Sequence, residues 1–469
     1  MADQKTQNGI RRRDFLKTGG GALAASSSGL AALGCAAQKK APPNILLIIT
    51  DQQHHDSISA RGCRFANTPS LDSLAERATS FANSYCADSL CSPSRSAIFT
   101  GRTPSEAAVP HNGMHIRRDI PNMGQWFSEN SEYETVYAGK WHLPRTYQDK
   151  IEGFRVLPGG IGGQGNVGDT SVSRAVEAFL RNRTATRPFL LTASFLQPHD
   201  ICEWLRLNMK NPDGLRYPEL QQELPPLPDN FDYETIEPQA LRERRQRNEP
   251  AKGGWSKEHW RYYRWSYFRH VEMVDGEIGR ILLALEDTGH VRDTVVVFIA
   301  DHGEGLGHHQ MVRKSSPYDE ASRVPFLISW PGYFPEGRND ARTLVNGVDV
   351  MPTLCDCAGI RPPANMRGRS LRPVLEGKAD NSNGYVVTEI PVNIGRVVRS
   401  QRYKYVTYAG DTVEQLFDMV SDPGETRNLA ADAGHAAALA EHKRLLREWE
   451  ARLDPAPKLP HADAWWRTS

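Results

Sequence analysis

Two continuous apolar runs stand out from an otherwise mixed chain: Ile45-Leu46-Leu47-Ile48-Ile49-Thr50-Asp51 and Val295-Val296-Val297-Phe298-Ile299-Ala300-Asp301-His302-Gly303. Unbroken runs of this length, rich in β-branched residues, predict strands buried on both faces of a parallel sheet. Both reach a carboxylate, and in open α/β sheets ligands bind beyond the carboxyl ends of the strands. Glu134 to Ala138 and Pro188 to Ser194 predict two more strands, each running into polar residues with chemical potential. Between these runs the pattern turns helical, at Ser70 to Thr79 and at Val271 to Thr288, where Ile278, Ile281, Leu282 and Leu285 recur at helical spacing. Alternating strand and helix predict an α/β fold with a large, doubly wound, mostly parallel sheet flanked by helices.

The pattern changes character twice. From about 200 to 260 the chain is rich in Pro, Glu and Arg, with Trp204, Trp255 and Trp260 scattered through it. This predicts a long insertion over the mouth of the sheet, either functional or a solvated surface loop. Its tryptophans read as stacking platforms for sugar rings or as packing anchors. Near Leu371 to Asn383 a stretch of Pro, Gly, Asp and Asn marks a boundary. Strand-like pieces at Tyr385 to Thr388, Arg396 to Ser400 and Lys404 to Thr407, then a helix over Ala431 to Arg452, predict a small C-terminal α+β subdomain with an antiparallel sheet. The expected organisation is a leader over 1–40, a catalytic domain over 41–375 and the subdomain over 376–469.

The leader reads as a targeting segment. Arg11-Arg12-Arg13-Asp14-Phe15-Leu16-Lys17 resembles the twin-arginine export motif, and Gly19 to Gly34 is a weakly apolar run behind it. That run falls short of the roughly twenty apolar residues that span a bilayer, but it suits a signal h-region. The expectation is a bacterial protein exported folded by the Tat machinery, then periplasmic or tethered to a membrane. Ala32-Leu33-Gly34-Cys35 approaches a lipobox with its leucine displaced by one, so a lipid anchor at Cys35 and a plain small-residue cleavage site are the two readings. No later run is long and apolar enough for a transmembrane helix. A length of 469 residues allows one large domain plus a smaller one. A formal net charge of +1 gives no argument for nucleic acid, and no basic stripe interleaves with aromatics. The seven cysteines are irregularly spaced and form neither a disulfide framework nor a zinc pattern; Cys355 and Cys357 read as structural.

Candidate chemistry concentrates at Cys91-Ser92-Pro93-Ser94-Arg95-Ser96-Ala97-Ile98-Phe99-Thr100-Gly101-Arg102. The cysteine is expected one step before a helix start, with proline near the first helical position. Helix N-termini carry unpaired N–H groups and partial positive charge, which favour an anion or a thiolate. Arg95 lies one turn on, within reach of whatever Cys91 carries. Taken alone, a small buried cysteine at an ordinary helix cap is the plainer reading. The whole run, C-x-P-S-R-x(4)-T-G-R, resembles the signature of the formylglycine-dependent sulfatase family of the alkaline phosphatase superfamily. In that family the cysteine is oxidised to Cα-formylglycine (3-oxoalanine), whose hydrate is the nucleophile.

The resemblance covers nearly all of residues 43 to 430. It implies that Asp51, Gln52, Asp301 and His302 coordinate one divalent cation together with the modified Cys91: Ca²⁺, with Mg²⁺ or Mn²⁺ as alternatives. Gln52 stands where the family most often has Asp, and His302 where Asn is commoner; fewer carboxylates weaken the hold on Ca²⁺. Gly139-Lys140-Trp141-His142-Leu143 resembles the family's G-K-W-H motif and Gln197-Pro198-His199 its P-H motif. Lys314 precedes Tyr318-Asp319-Glu320-Ala321-Ser322-Arg323-Val324-Pro325 at the spacing of the family's sulfate-binding lysine. The implied activity is that of a sulfuric ester hydrolase. Arg95 and the cation hold the nucleophile, Lys140 and Lys314 hold sulfate charge, His199 or Lys314 protonates the leaving alcohol, and His142 takes the proton that lets sulfate depart. His54, His55, His111, His115, His308 and His309 lie near these motifs without a spacing argument of their own. The expected substrate is a sulfated saccharide rather than a small aryl or alkyl sulfate, and the implied partners are a formylglycine-generating enzyme and the Tat machinery. The alternatives are a phosphonate monoester hydrolase or phosphodiesterase of the same superfamily, and a non-catalytic sulfoglycan-binding surface protein.

Overall fold

The computed structural model describes residues 41–158, 164–208, 218–233, 236–247, 254–379, 384–391 and 394–455. The twin-arginine-like motif, the run behind it and Cys35 lie outside these residues. The central sheet comprises β1 (Asn44–Asp51), β2 (Thr79–Tyr85), β3 (Glu134–Gly139), β4 (Arg155–Val156), β5 (Phe189–Pro198), β6 (Thr294–Ala300), β7 (Phe326–Ser329) and β8 (Arg338–Asn346). Their order is β4-β3-β5-β1-β6-β7-β2-β8. The four strands announced by apolar runs are neighbours: β3 pairs with β5, β5 with β1 and β1 with β6, all parallel. Only β7 runs antiparallel to its neighbours β6 and β2.

Alternation along β1 and β6 divides the core. Ile45, Leu47, Ile49, Val295, Val297 and Ile299 face a layer that includes Phe99, Phe127 and Leu354. Leu46, Ile48, Val296 and Phe298 face the opposite layer, with Val172, Val176, Val274, Ile278 and Ile281. Helices Cys91–Thr100, Met123–Asn130 and Val350–Ala358 supply the first layer, and Pro69–Glu76, Gly165–Asn182 and Lys257–Asp287 the second. Each fully buried Val, Leu, Ile or Phe contributes roughly 1.5–3 kcal/mol. This two-sided burial is why the runs are continuous rather than alternating.

Several boundaries differ from the expectation for local reasons. The first helix ends at Glu76, because Thr79 already begins β2. The helix expected from Val271 starts at Lys257 and runs 31 residues, capped by the Ser256 side chain accepting from His259 N–H. The end of the supposed insertion is therefore helix, and its aromatic residues face inward. Trp255 and Trp260 stand edge to face at 5.1 Å, and Trp204 and Trp255 at 5.9 Å, so the tryptophans pack on one another.

A second sheet, in the order β12-β11-β10-β9, is formed by β9 (Tyr385–Ile390), β10 (Gly395–Ser400), β11 (Tyr403–Tyr408) and β12 (Gln415–Asp418). It is antiparallel throughout, and helix Ala436–Glu450 covers it through Leu446. Both sheets belong to one compact unit, Pro42–Ser469. Thr388 Oγ1 donates to the Cys86 carbonyl at 2.7 Å, and Lys404 pairs with Asp319 and Glu425 at 2.8 Å each, tying the two sheets together. Among the described residues every cysteine is free, Cys355 and Cys357 sit in the core, and no helix is long and apolar enough to cross a membrane.

Candidate active site at the ends of four parallel strands

Because β3, β5, β1 and β6 are adjacent and parallel, their carboxyl ends bring Lys140, His199, Asp51-Gln52 and Asp301-His302 to one edge. Gly139 makes the exit from β3 feasible. Its φ is +97°, and a Cβ there would lie 1.9 Å from the Ser194 carbonyl oxygen, so only glycine fits. Helix Cys91–Thr100 aims its N-terminus at the same edge, with all ten residues buried. Cys91 is the first helical residue rather than the one before it, and Leu90 is the cap. The cap offers no side-chain oxygen, so Ser92 N–H turns to Asn112 Oδ1 at 3.0 Å.

Arg95 is committed elsewhere than expected. Its Nε donates to Asp301 Oδ2 at 2.8 Å and its Nη2 to Asp51 Oδ2 at 3.3 Å. Its Nη1 donates to the Lys140 carbonyl at 2.8 Å and Ser194 Oγ at 2.7 Å. The guanidinium thus clamps the four strand ends to one another, and its donors go to those groups rather than to residue 91.

Asp51, Cys91, Asp301 and His302 each bring one ligand atom within 4.8 Å of the others. Gln52 joins them in a left-handed conformation (φ 66°), with its N–H donating to Asp301 Oδ1 at 3.0 Å. Strain of about 1–3 kcal/mol at such a residue is typical of functional sites. His302 Nδ1 lies 2.9 Å from the Gly303 carbonyl and its Nε2 3.1 Å from Cys91 Sγ; against the effect of burial, Asp301 and Cys91 raise its pKa above the usual value. Lys314 Nζ stands 2.7 Å from Gln52 Oε1, 3.0 Å from Cys91 Sγ and 4.0 Å from Asp51 Oδ1, so the space these groups enclose already accepts a positive charge. Two carboxylates, an amide oxygen and an imidazole nitrogen fit a divalent cation that prefers oxygen and whose own charge would displace the imidazole proton. A second group, His54, His55 and Asp56, is also close-set, but Asp56 N–H already donates to His54 Nδ1 at 3.1 Å.

The electrostatics match the geometry. Burial and Asp51 push the Cys91 thiol up, but Lys140, Lys314 and His302 outweigh them and hold it well below its usual range. Burial also opposes charge on Asp51, yet Lys140, His199, Lys314 and Arg95 keep it low, and Lys140 Nζ forms an ion pair with its Oδ2. Asp301 is pushed up to about 6 by burial and the neighbouring Asp51. Burial, then Lys140, lowers His142; burial, then Lys314, lowers His199 well below 6.5. Both rings are therefore neutral near pH 7. His142 lies against Cys91, and its buried Nδ1 has no partner among the described residues.

The ten residues singled out in the sequence are thus gathered at one place. Of the other histidines, His54 stacks on His55 at 4.4 Å and on His308 at 5.6 Å, apart from the cluster of Asp51, Cys91, Asp301 and His302. His309 stacks on Tyr318 at 3.8 Å. Sequence reasoning passed over Glu304, which is wholly buried and accepts from Gln52 Nε2. The signal was present in Asp301-His302-Gly303-Glu304: a carboxylate four residues past the end of β6, in a glycine turn.

Residues 43–360 match the Sulfatase family, and residues 307–452 match the family described as N-sulphoglucosamine sulphohydrolase, C-terminal. The chain is 34% identical over 390 residues to a Delta 4,5-hexuronate-2-O-sulfatase of Bacteroides thetaiotaomicron, covering 77% of this chain and 79% of that protein. The solved structure of a 2-O GAG sulfatase matches with a TM-score of 0.77 at 31% identity, over 91% of this chain and 94% of that one. A phosphonate monoester hydrolase of Agrobacterium radiobacter shares the fold, with a TM-score of 0.73 at 24% identity over 88% of this chain and 97% of that one. The family match spans most of the α/β domain and includes every residue of the strand-end cluster, so the chain belongs to the sulfatase family and is a sulfuric ester hydrolase.

Proposed function

We propose that this chain hydrolyses a sulfate monoester on a uronic acid of a glycosaminoglycan fragment, a 2-O-sulfate in particular, with a nucleophile derived from Cys91. The carrying observation is the convergence of Cys91, Lys314, Gln52, Asp51 and His302 within bonding distance at one strand edge. The choice of sugar rests on the relative named for Delta 4,5-hexuronate 2-O-sulfate, which aligns over 77% of this chain.

Asp51, Gln52, Asp301, His302 and residue 91 would hold a divalent cation, Ca²⁺ by the family's habit, and the cation supplies positive charge against the sulfate oxygens. Oxidation of Cys91 to formylglycine supplies a hydrated aldehyde: a hydroxyl that attacks sulfur, and a second hydroxyl whose deprotonation releases sulfate by C–O cleavage. The chain's own residues do the rest. Lys140 and Lys314 stand as fixed charges where negative charge accumulates, in a site that excludes water. His142, neutral and lying against residue 91, takes the proton of the second hydroxyl. His199 and Lys314 are the two donors for the leaving alcohol. His199 rests neutral, so it carries a proton only once the charge of the bound sulfate raises its pKa.

The twin-arginine-like segment supports export, to the periplasm or to a membrane tether at Cys35. Cys91 is fully buried, so a formylglycine-generating enzyme must reach it before the chain folds, and hence in the cytoplasm if export follows folding. The test is a comparison of kcat/KM on 2-O-sulfated unsaturated hexuronate disaccharides, other sulfated saccharides, an aryl sulfate and a phosphonate monoester. The proposal expects the first to lead by at least an order of magnitude; a lead for the phosphonate ester would replace it with the alternative activity.

A further inference from the structure

We infer that Glu304 is a positioning residue that fixes which end of the Gln52 side chain faces the cation site, an inference that rests on the cation reading above. Glu304 is fully buried. Its Oε2 accepts from Gln52 Nε2, and its Oε1 accepts from Tyr263 OH, from Arg313 N–H and, at 3.3 Å, from Leu306 N–H.

An ionised carboxylate only accepts hydrogen bonds, whereas an amide has one donating end and one accepting end of nearly equal size. Opposite Glu304, therefore, only the NH₂ end of Gln52 is tolerated. The Oε1 end is turned toward Lys314 Nζ and the cluster of Asp51, Cys91, Asp301 and His302. The reverse orientation would present N–H donors to a cation and an oxygen to a carboxylate, two repulsive contacts at once. The neighbouring Cys202 sulfur does not discriminate, since it lies near both ends: 3.3 Å from Nε2 and 3.7 Å from Oε1. Lys314 favours the same orientation, but Glu304 alone continues to impose it if Lys314 swings to the substrate.

The same carboxylate has a second consequence. Where an aspartate at 52 would bring a negative charge into the cluster, Gln52 brings only an oxygen, and the charge stands one hydrogen bond away on Glu304. Glu304 also grips the backbone of Arg313, next to Lys314, in a turn where Arg313 and Ser315 both have positive φ (65° and 67°). Ligand end and lysine loop are thereby held by one group.

Ca²⁺ titration of the full chain by calorimetry tests this, with Glu304→Gln, the exchange variant Gln52→Glu/Glu304→Gln, and Tyr263→Phe, which loosens Glu304 without touching Gln52. If the wild-type chain binds no Ca²⁺, Mg²⁺ or Mn²⁺, the cation reading itself fails. If it binds, Glu304→Gln is expected to raise Kd about 10–100-fold. The exchange variant, with a carboxylate at 52 accepting from an amide at 304, should return Kd to the wild-type value or below. Tyr263→Phe should lower the unfolding midpoint yet leave Kd unmoved. Unchanged affinity in Glu304→Gln, equal loss in Tyr263→Phe, or a folded exchange variant without recovered affinity would each overturn the inference. Should Glu304→Gln fail to fold, the exchange variant decides alone, by binding or not binding Ca²⁺.

Discussion

Lys314 Nζ lies 3.0 Å from Cys91 Sγ, although 223 positions separate the two residues in the chain. The contact joins the loop that follows β6 to the helix that follows β2, and it places a fixed charge beside the atom on which the chemistry is proposed to occur. Replacing Lys314 by Met keeps length and removes charge. Steady-state kinetics should show kcat reduced by about 10²–10³-fold, with a smaller change in KM; a kcat within a factor of about three of wild type would remove the lysine from the reaction.

Cys91→Ala should abolish turnover and leave substrate binding largely intact, since Asp51, Lys140 and Lys314 remain in place. Cys91→Ser retains a hydroxyl but lacks the second one that expels sulfate. It should accumulate a sulfated protein, visible as a stable mass increase after incubation with substrate. Retained turnover in the alanine variant would contradict the mechanism outright.

Arg95 predicts a stability effect. Removing it leaves Asp51 and Asp301 buried side by side without their shared counter-charge, and loss of one partner of a buried pair costs about 3–5 kcal/mol. Arg95→Met should therefore lower the urea midpoint strongly, and Arg95→Lys should recover only part of it, because an ammonium cannot serve four strand ends at once. A midpoint near wild type in Arg95→Met would mean that the clamp is dispensable.

His309 should make the fold acid-sensitive. Its ring is buried against Tyr318, and its Nε2 lies 3.1 Å from Asn230 Nδ2, which donates to it. Burial, against the pull of Glu320, lowers its pKa from 6.5 to about 4. Below pH 6.5 the unfolded chain takes up a proton that the folded chain refuses, so stability falls as pH falls from 6.5 toward 4. The full effect is of order 3 kcal/mol. In His309→Gln the dependence of the unfolding free energy on pH across this window should flatten; an unchanged slope would show that other groups carry it.

How far the sequence discloses the molecule depends on whether a feature is written in consecutive residues. The strands β1 and β6 are doubly buried, so their runs are apolar almost to the last residue, and β3 and β5 keep enough of that pattern, at Val136 to Ala138 and Phe189 to Leu191, to be legible. β2 and β8 are not, because Asn83, Ser84, Arg338, Asn339 and Asp340 break any run; their pairing is set by tertiary contact. Cys91, Asp51 and Asp301 are legible because each sits in a motif at an element's end. Arg95 was found but misdirected: its spacing from Cys91 shows that it is near, not that two aspartates compete for its donors. Glu304 was missed because its significance lies in the partner it faces, 252 positions away.

Mass spectrometry of the peptide containing residue 91, on protein produced with a formylglycine-generating enzyme and assayed in parallel on a sulfated hexuronate, tests the central claim most directly. The fraction carrying an aldehyde in place of the thiol should equal the fraction that turns over and releases sulfate. Fully active protein with an intact Cys91 thiol would contradict it.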